Sequence, residues 1–235
     1  MTATFGLSSD VWTALLLSVR VGLVCAVLTL PPAVLCAWVL ARKEFPGKTL
    51  VDGLFHLPLV LPPVTTGYLL LMVFGTNGVL GGWLYHSLGV RIAFTWWAAV
   101  LASAAVAFPL AMRAVRIAIE MVDPRLEQAA RTLGAGPVRT FVAVTLPLAL
   151  SGVISGFILS FARSLGEFGA TITFAGNIQG ETRTIPLAIY THMQQPGGEA
   201  AAFRLMLISV LVSLAALVAS ELLARRMRSR LRRSP

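Results

Sequence analysis

Residues Val21–Leu40 read VGLVCAVLTLPPAVLCAWVL, twenty positions without a charged side chain. At ~1.5 Å of rise per residue, a helix of this length covers the ~30 Å hydrocarbon core of a bilayer. In lipid every backbone polar group must be satisfied within its own segment, so helix is the state such a run adopts. Working outward, comparable runs recur at Leu50–Phe74, Phe94–Met112, Leu146–Leu165 and Phe203–Leu223. The expectation is therefore an all-α polytopic transmembrane helical bundle of about five spans. The first span can begin earlier, near Val11, with Arg20 snorkelling to the headgroups.

Composition agrees: 57% of residues are hydrophobic and 12% charged, and the mean hydropathy is +0.81. These values lie far from those of soluble domains. With 235 residues and no large polar block, the chain has room for a single transmembrane domain over 1–235 and none for a separate catalytic domain.

Basic residues set the expected orientation. One set of loops holds Arg42, Lys43 and Lys48, then Arg113, Arg116, Arg125, Arg131 and Arg139, then the tail RRMRSRLRR from Arg225 to Arg233. The opposite loops hold Arg91 and Arg183, while Arg20, Arg163 and Arg204 lie near outer ends of spans. The amino terminus is expected outside and the carboxyl terminus in the cytoplasm, as an odd span count requires. The net charge of +9 is then loop bias and no signal for nucleic acid; the tail can also hold anionic lipid headgroups. The first ten residues carry no positive charge, so the first span is expected to stay as an anchor and not to be cleaved. Cys25 and Cys36 share that span about 16 Å apart, beyond the ~7 Å limit for a disulfide.

Pro31 and Pro32 fall within the first span, and Pro58, Pro62 and Pro63 within the second. Proline removes a backbone donor and kinks or breaks a helix. Broken helices at membrane depth are tolerated where they face protein or a water-filled cavity, which favours a transport path over a passive anchor.

The polar loop 113–147 carries the most information about partners. From Glu120 to Pro147 it reads EMVDPRLEQAARTLGAGPVRTFVAVTLP. Asp123 is a good N-cap, Pro124 suits the first helical position, and Gly134 can close the helix in the left-handed conformation. That spacing predicts a short helix of about three turns, followed by a second that starts at Gly136 and Pro137. Ala129 and Ala130 leave a shallow surface for another chain to approach.

This pattern resembles the cytoplasmic loop of bacterial ABC importer permeases, in which Glu-Ala-Ala is followed by Gly and then by a β-branched residue, a spacer, Leu and Pro. Gln128, Ala129, Ala130, Gly134, Val144, Leu146 and Pro147 occupy those positions. Gln128 stands where the family has glutamate, and Glu127 lies one residue earlier, so either could make the polar contact with an ATPase. FPGKTLVDGLFHLPLVLPPVTTGYLLL from Phe45 and RSLGEFGATITFAGNIQGETRTIPLAIYTHMQQPGGE from Arg163 look like the permease subunit of molybdate importers. Sulfate permeases are similar across Gly166–Ala170.

The resemblance implies a type I ABC importer permease fold in the bacterial inner membrane. It also implies a homodimer, two cytoplasmic ABC ATPase subunits and an external oxyanion-binding protein. Asp123, Glu127, Gln128, Ala129, Ala130 and Gly134 would then form the coupling surface. ATP and magnesium would be bound by the partner ATPase, with no cofactor in this chain. Molybdate is the implied substrate; sulfate or tungstate are alternatives within the class, and an ion channel or an integral membrane enzyme outside it.

The residues themselves support that division of labour. A phosphate-binding loop needs Gly, four residues, then Gly-Lys-Ser/Thr; Gly47, Lys48 and Thr49 supply the second half, but Arg42 stands where the first glycine belongs. His56, His86 and His192 are scattered, with no Cys or carboxylate spacing for a metal. Arg163 and Glu167, four residues apart near the outer end of the fourth span, are candidates for the outer gate or pathway, with a structural helix-end pair as the alternative. Thr171 and Thr173 follow as candidates for the same mouth. The spans hold few donors, so selectivity is assigned to the external binding protein.

Overall fold

A computed structural model describes residues 9–231. The extreme amino terminus and Arg232 and Arg233 of the tail, which entered the readings above, lie outside the described residues. In chain order the helices are α1 (Ser9–Arg42), α2 (Lys48–Val60), α3 (Pro63–Phe74), α4 (Val79–Leu88), α5 (Trp96–Glu120), α6 (Pro124–Thr132), α7 (Pro137–Thr140), α8 (Leu146–Leu148), α9 (Leu150–Leu165), α10 (Gly169–Phe174), α11 (Ile185–Met193) and α12 (Glu199–Leu231). A π-helical turn, Phe141–Thr145, joins α7 to α8.

Helices α1, α5 and α12 are each long and apolar enough to cross a membrane, and two further pairs qualify when taken together: α2 with α3, bent by 113°, and α7–α8 with α9, bent by 72°. The five apolar runs are thus three continuous helices and two bent pairs. The prolines explain one bend and also show what sequence leaves open. At Leu61–Pro62 both residues are extended, with ψ of 144° and 133°, as expected for positions that each precede a proline. Pro31 and Pro32, by contrast, lie inside a continuous α1. Both are exposed, while Ala33, Ala37 and Leu40 beside them are buried. Packing of α1's opposite face against α5 holds the helix through the proline pair.

The bundle core is made by α1, α5 and α9, and small side chains let them approach closely. Cys25, Ala33, Ala37, Ala107 and Ala111 are fully buried, and both cysteines are free. A Cβ on Gly152 would collide with Ala118 and sit 2.8 Å from the Ala114 carbonyl. Without a hydrophobic drive between helices in lipid, such contact by small residues is what brings spans together. Ser18 of α1 joins the α11 end of the bundle, accepting the Ile185 amide at 2.8 Å, and Val11, Ala14, Ile185, Ala188 and Leu205 form a separate buried cluster there.

The break in the second span meets the turn between α9 and α10. A Cβ on Gly67 would lie 2.6 Å from the Ala170 carbonyl, and one on Gly169 would lie 2.7 Å from Pro63. Two interrupted helices therefore cross where neither could carry a larger residue. Helices α4, α10 and α11 were not expected from the apolar runs; they are short and lie in segments that sequence reads as loop or span end.

Candidate coupling and gate sites

Local chemistry builds α6 where Asp123, Pro124 and Gly134 place it. The Asp123 carboxylate accepts the Arg125 amide at 2.9 Å, Pro124 occupies the first turn, and Gly134 has φ +86°. The Ala135 amide then donates to the Ala130 carbonyl at 3.0 Å, satisfying a helix-end acceptor. Pro137 starts the second helix, which passes into the π-helical turn.

The two candidates for the polar contact point in opposite directions. Gln128, Ala129 and Gly134 are exposed and Ala130 is half-buried. Glu127 is 5% exposed: it accepts the Arg42 Nε–H at 3.0 Å and the Thr145 hydroxyl at 2.8 Å. Arg42 also donates from Nη2 to the Val122 carbonyl at 2.9 Å. Glu127 thus ties α6 to the end of α1 and to the π-helical turn, where the extra residue of a π turn shifts side-chain register. Arg42 and Thr145 are partners of the candidate Glu127 that sequence reasoning missed. Arg42 reads as one more loop cation, and Thr145 as one more residue of the polar loop 113–147. Leu133, 87% exposed, and Val138, 73% exposed, add apolar surface to the same loop.

Arg163 and Glu167 do pair, at 2.8 Å, but not along one helix. Helix α9 ends at Leu165, and Glu167 lies in the turn beyond it. Glu167 is 2% exposed, and its other oxygen accepts the Ala170 amide at 2.9 Å. The carboxylate therefore joins the end of α9 to the start of α10. Thr171 is buried, and the Thr173 hydroxyl donates to the Gly169 carbonyl at 2.9 Å.

A further polar cluster links α2 to the C-terminal half of α5. Arg116 donates to Asp52 at 2.9 Å and to Glu120 at 2.8 Å, beside a cavity of about 520 Å³ that His56 and Arg113 also line. Among the described residues no group of three or more His, Cys, Asp or Glu is placed to hold a metal ion.

An all-helical bundle with three apolar helices and two bent apolar pairs of spanning length, and a capped polar helix carried on a loop, defines a polytopic membrane transport component. Residues 33–229 match the family described as binding-protein-dependent transport system inner membrane component, and the chain belongs to that family. It is a multi-pass inner-membrane permease subunit of an ABC importer, a transport component and not an enzyme. Over 224 residues it is 55% identical to the molybdenum transport system permease protein ModB of Escherichia coli (strain K12), covering 95% of this chain and 98% of that protein. It is 39% identical over 181 residues to the sulfate transport system permease protein CysT of the same strain, covering 76% of this chain and 65% of that one. Among solved structures, a chain of the bacterial alginate ABC transporter in complex with alginate pentasaccharide-bound periplasmic protein aligns with TM-score 0.75. It is 18% identical and covers 95% of this chain and 81% of that one, a likeness of fold.

Proposed function

We propose that this chain is the molybdate permease of its importer, embedded as a homodimer with the amino terminus outside and the carboxyl terminus in the cytoplasm. Two ABC ATPase subunits dock on its cytoplasmic loops, and an external oxyanion-binding protein delivers substrate. Loop 113–147 is the coupling loop within a single transmembrane domain. Closure of the ATPases on nucleotide moves α6, and the packed spans convert that movement into opening toward the exterior.

The observation that carries the reading is 55% identity to a molybdenum permease along nearly the full length of both chains, against 39% over a shorter stretch for a sulfate permease. The α6 surface supports the coupling role. Asp123 and Gly134 fix its ends, Gln128 and Ala129 are presented outward with Ala130 half-buried beside them, and Leu133 supplies an apolar anchor. Glu127 contributes by holding α6 in place.

Reconstitution with the ATPase and binding protein tests the function. ATP-dependent molybdate uptake is expected, with tungstate competing well and sulfate poorly. A Gly134→Glu variant should insert normally and lose ATPase association or coupling, because Gly134 lies at positive φ on the exposed side. Uptake inhibited equally by sulfate would move the chain to the sulfate class. Unchanged ATPase association and uptake in Gly134→Glu would remove α6 from the interface.

A further inference from the structure

Arginines on the side assigned to the exterior are mostly engaged. Arg20 stacks over Trp96 at 4.5 Å, Arg163 pairs with Glu167 at 2.8 Å, and Arg183 donates to Asn177 at 2.8 Å. Arg91 and Arg204 differ: both are exposed and have no hydrogen bond, ion pair or ring contact among the described residues. The inside bias of basic residues makes a cation in a short outer loop uncommon, and Arg91, with no partner in the described chain, is available to an anionic ligand.

Arg91 lies on a cleft of about 570 Å³ at the α3–α4 turn and the segment before α5, together with Tyr68, Thr76, Asn77 and Phe94. The side chains of Tyr68, Thr76 and Asn77 likewise have no hydrogen-bond partner within the described chain. All three can donate, and no carboxylate lines the cleft. Helix α4 opens beside it at Gly78 without a side-chain cap, leaving first-turn amides of the kind that attract anions.

The cleft wall is also held in an unusual conformation. Phe94 has φ +60°, a value non-glycine residues seldom adopt. Its amide donates to the Phe174 carbonyl at 3.1 Å, and its ring lies against Gly176, where a Cβ would come within 3.3 Å. Strain of this kind is kept where the surroundings over-determine it, often at ligand sites.

We propose that this cleft is a transient landing site for a tetrahedral oxyanion dianion at the outer mouth. Arg91 supplies the charge, and Tyr68, Thr76 and Asn77 supply neutral donors. Exposure of the guanidinium to water keeps affinity low, as suits a site that must pass its ligand onward. The proposal rests on the orientation and oxyanion reading given above.

Molybdate itself is the probe, with the purified permease–ATPase complex in nanodiscs and no binding protein present. Equilibrium dialysis should give weak, saturable binding that is at least about tenfold weaker in Arg91→Gln, the loss expected for one charge-assisted contact. Asn77→Ala should give a smaller loss, and association with the binding protein should be unchanged in both. Equal molybdate binding by wild type and Arg91→Gln, or none by wild type, overturns the site. Loss of binding-protein association in Arg91→Gln with oxyanion binding intact makes Arg91 a docking residue and also overturns it. An Arg91→Cys variant labelled by an impermeant maleimide from outside the cell separates the two layers. Outer labelling with unaltered molybdate binding removes the site and leaves the orientation standing; labelling only from the cytoplasmic side removes both.

Discussion

Glu127 and Gln128 are neighbours that face opposite ways, and this divides their work. The Glu127 carboxylate has partners from two distant segments, Arg42 at 3.0 Å and Thr145 at 2.8 Å, while Gln128 meets solvent. Removing one member of a buried pair strands the other charge and costs roughly 3–5 kcal/mol where solvent is excluded. Glu127→Ala should therefore lower the thermal unfolding temperature of the solubilised protein and open α6 to trypsin at Arg125 and Arg131. Gln128→Ala should leave both unchanged and weaken ATPase association instead. Thermal unfolding, limited proteolysis and ATPase pull-down on the two variants check the split. Identical behaviour of the pair would mean that Glu127 is not an internal tie. The direction of Glu127 was not legible in the sequence, because its principal partner is 85 positions away. The helix carrying it was legible from cap to cap, because Asp123, Pro124 and Gly134 act on their own neighbours.

At the scale of elements, the same dipeptide has two outcomes. Pro31–Pro32 stays within α1 and Pro62–Pro63 ends one helix and starts another. Local chemistry permits either; α1 is held along its length by α5 and α9, whereas no residue of α2 is buried. The bend at Pro62 brings α3 against α10, whose start is tied by Glu167 to the end of α9. The spacing of Arg163 and Glu167 predicted their pairing, and the fourth apolar run already ended at Leu165, where α9 ends; what the sequence did not show is that Glu167, beyond that end, also holds the start of α10. This clip stands at the crossing of the two interrupted helices, and on the orientation proposed above we propose it as the element whose movement opens the outer gate. Arg163→Gln and Glu167→Gln should each reduce uptake several-fold in reconstituted vesicles while ATPase association persists. Normal uptake in both variants would leave the pair a helix-end tie and nothing more.

Across the whole molecule, two exposed apolar faces differ in kind. On α12, Leu207, Val210, Leu211, Leu214 and Val218 are exposed with no charged residue between them, as a lipid-facing helix requires. On α2, Leu50, Leu54 and Val60 are 78%, 63% and 81% exposed, but Asp52 and His56 share that short helix and stay about a third exposed. Partly exposed ionisable groups on a membrane span are costly against hydrocarbon and are found facing protein or water. Asp52 meets that need in part through Arg116 of α5, and on the homodimer proposed above we place the exposed face of α2 against the second copy, around an aqueous path, with α12 on the outside of the pair. In a Cys25→Ala, Cys36→Ala background, Leu54→Cys or Val60→Cys should form an oxidation-dependent dimer band in native membranes, and Leu214→Cys should not. A dimer trapped through α12 instead, with α2 positions unreactive toward each other, would reverse this arrangement and place the bent second span against lipid, where its interrupted backbone could not be satisfied.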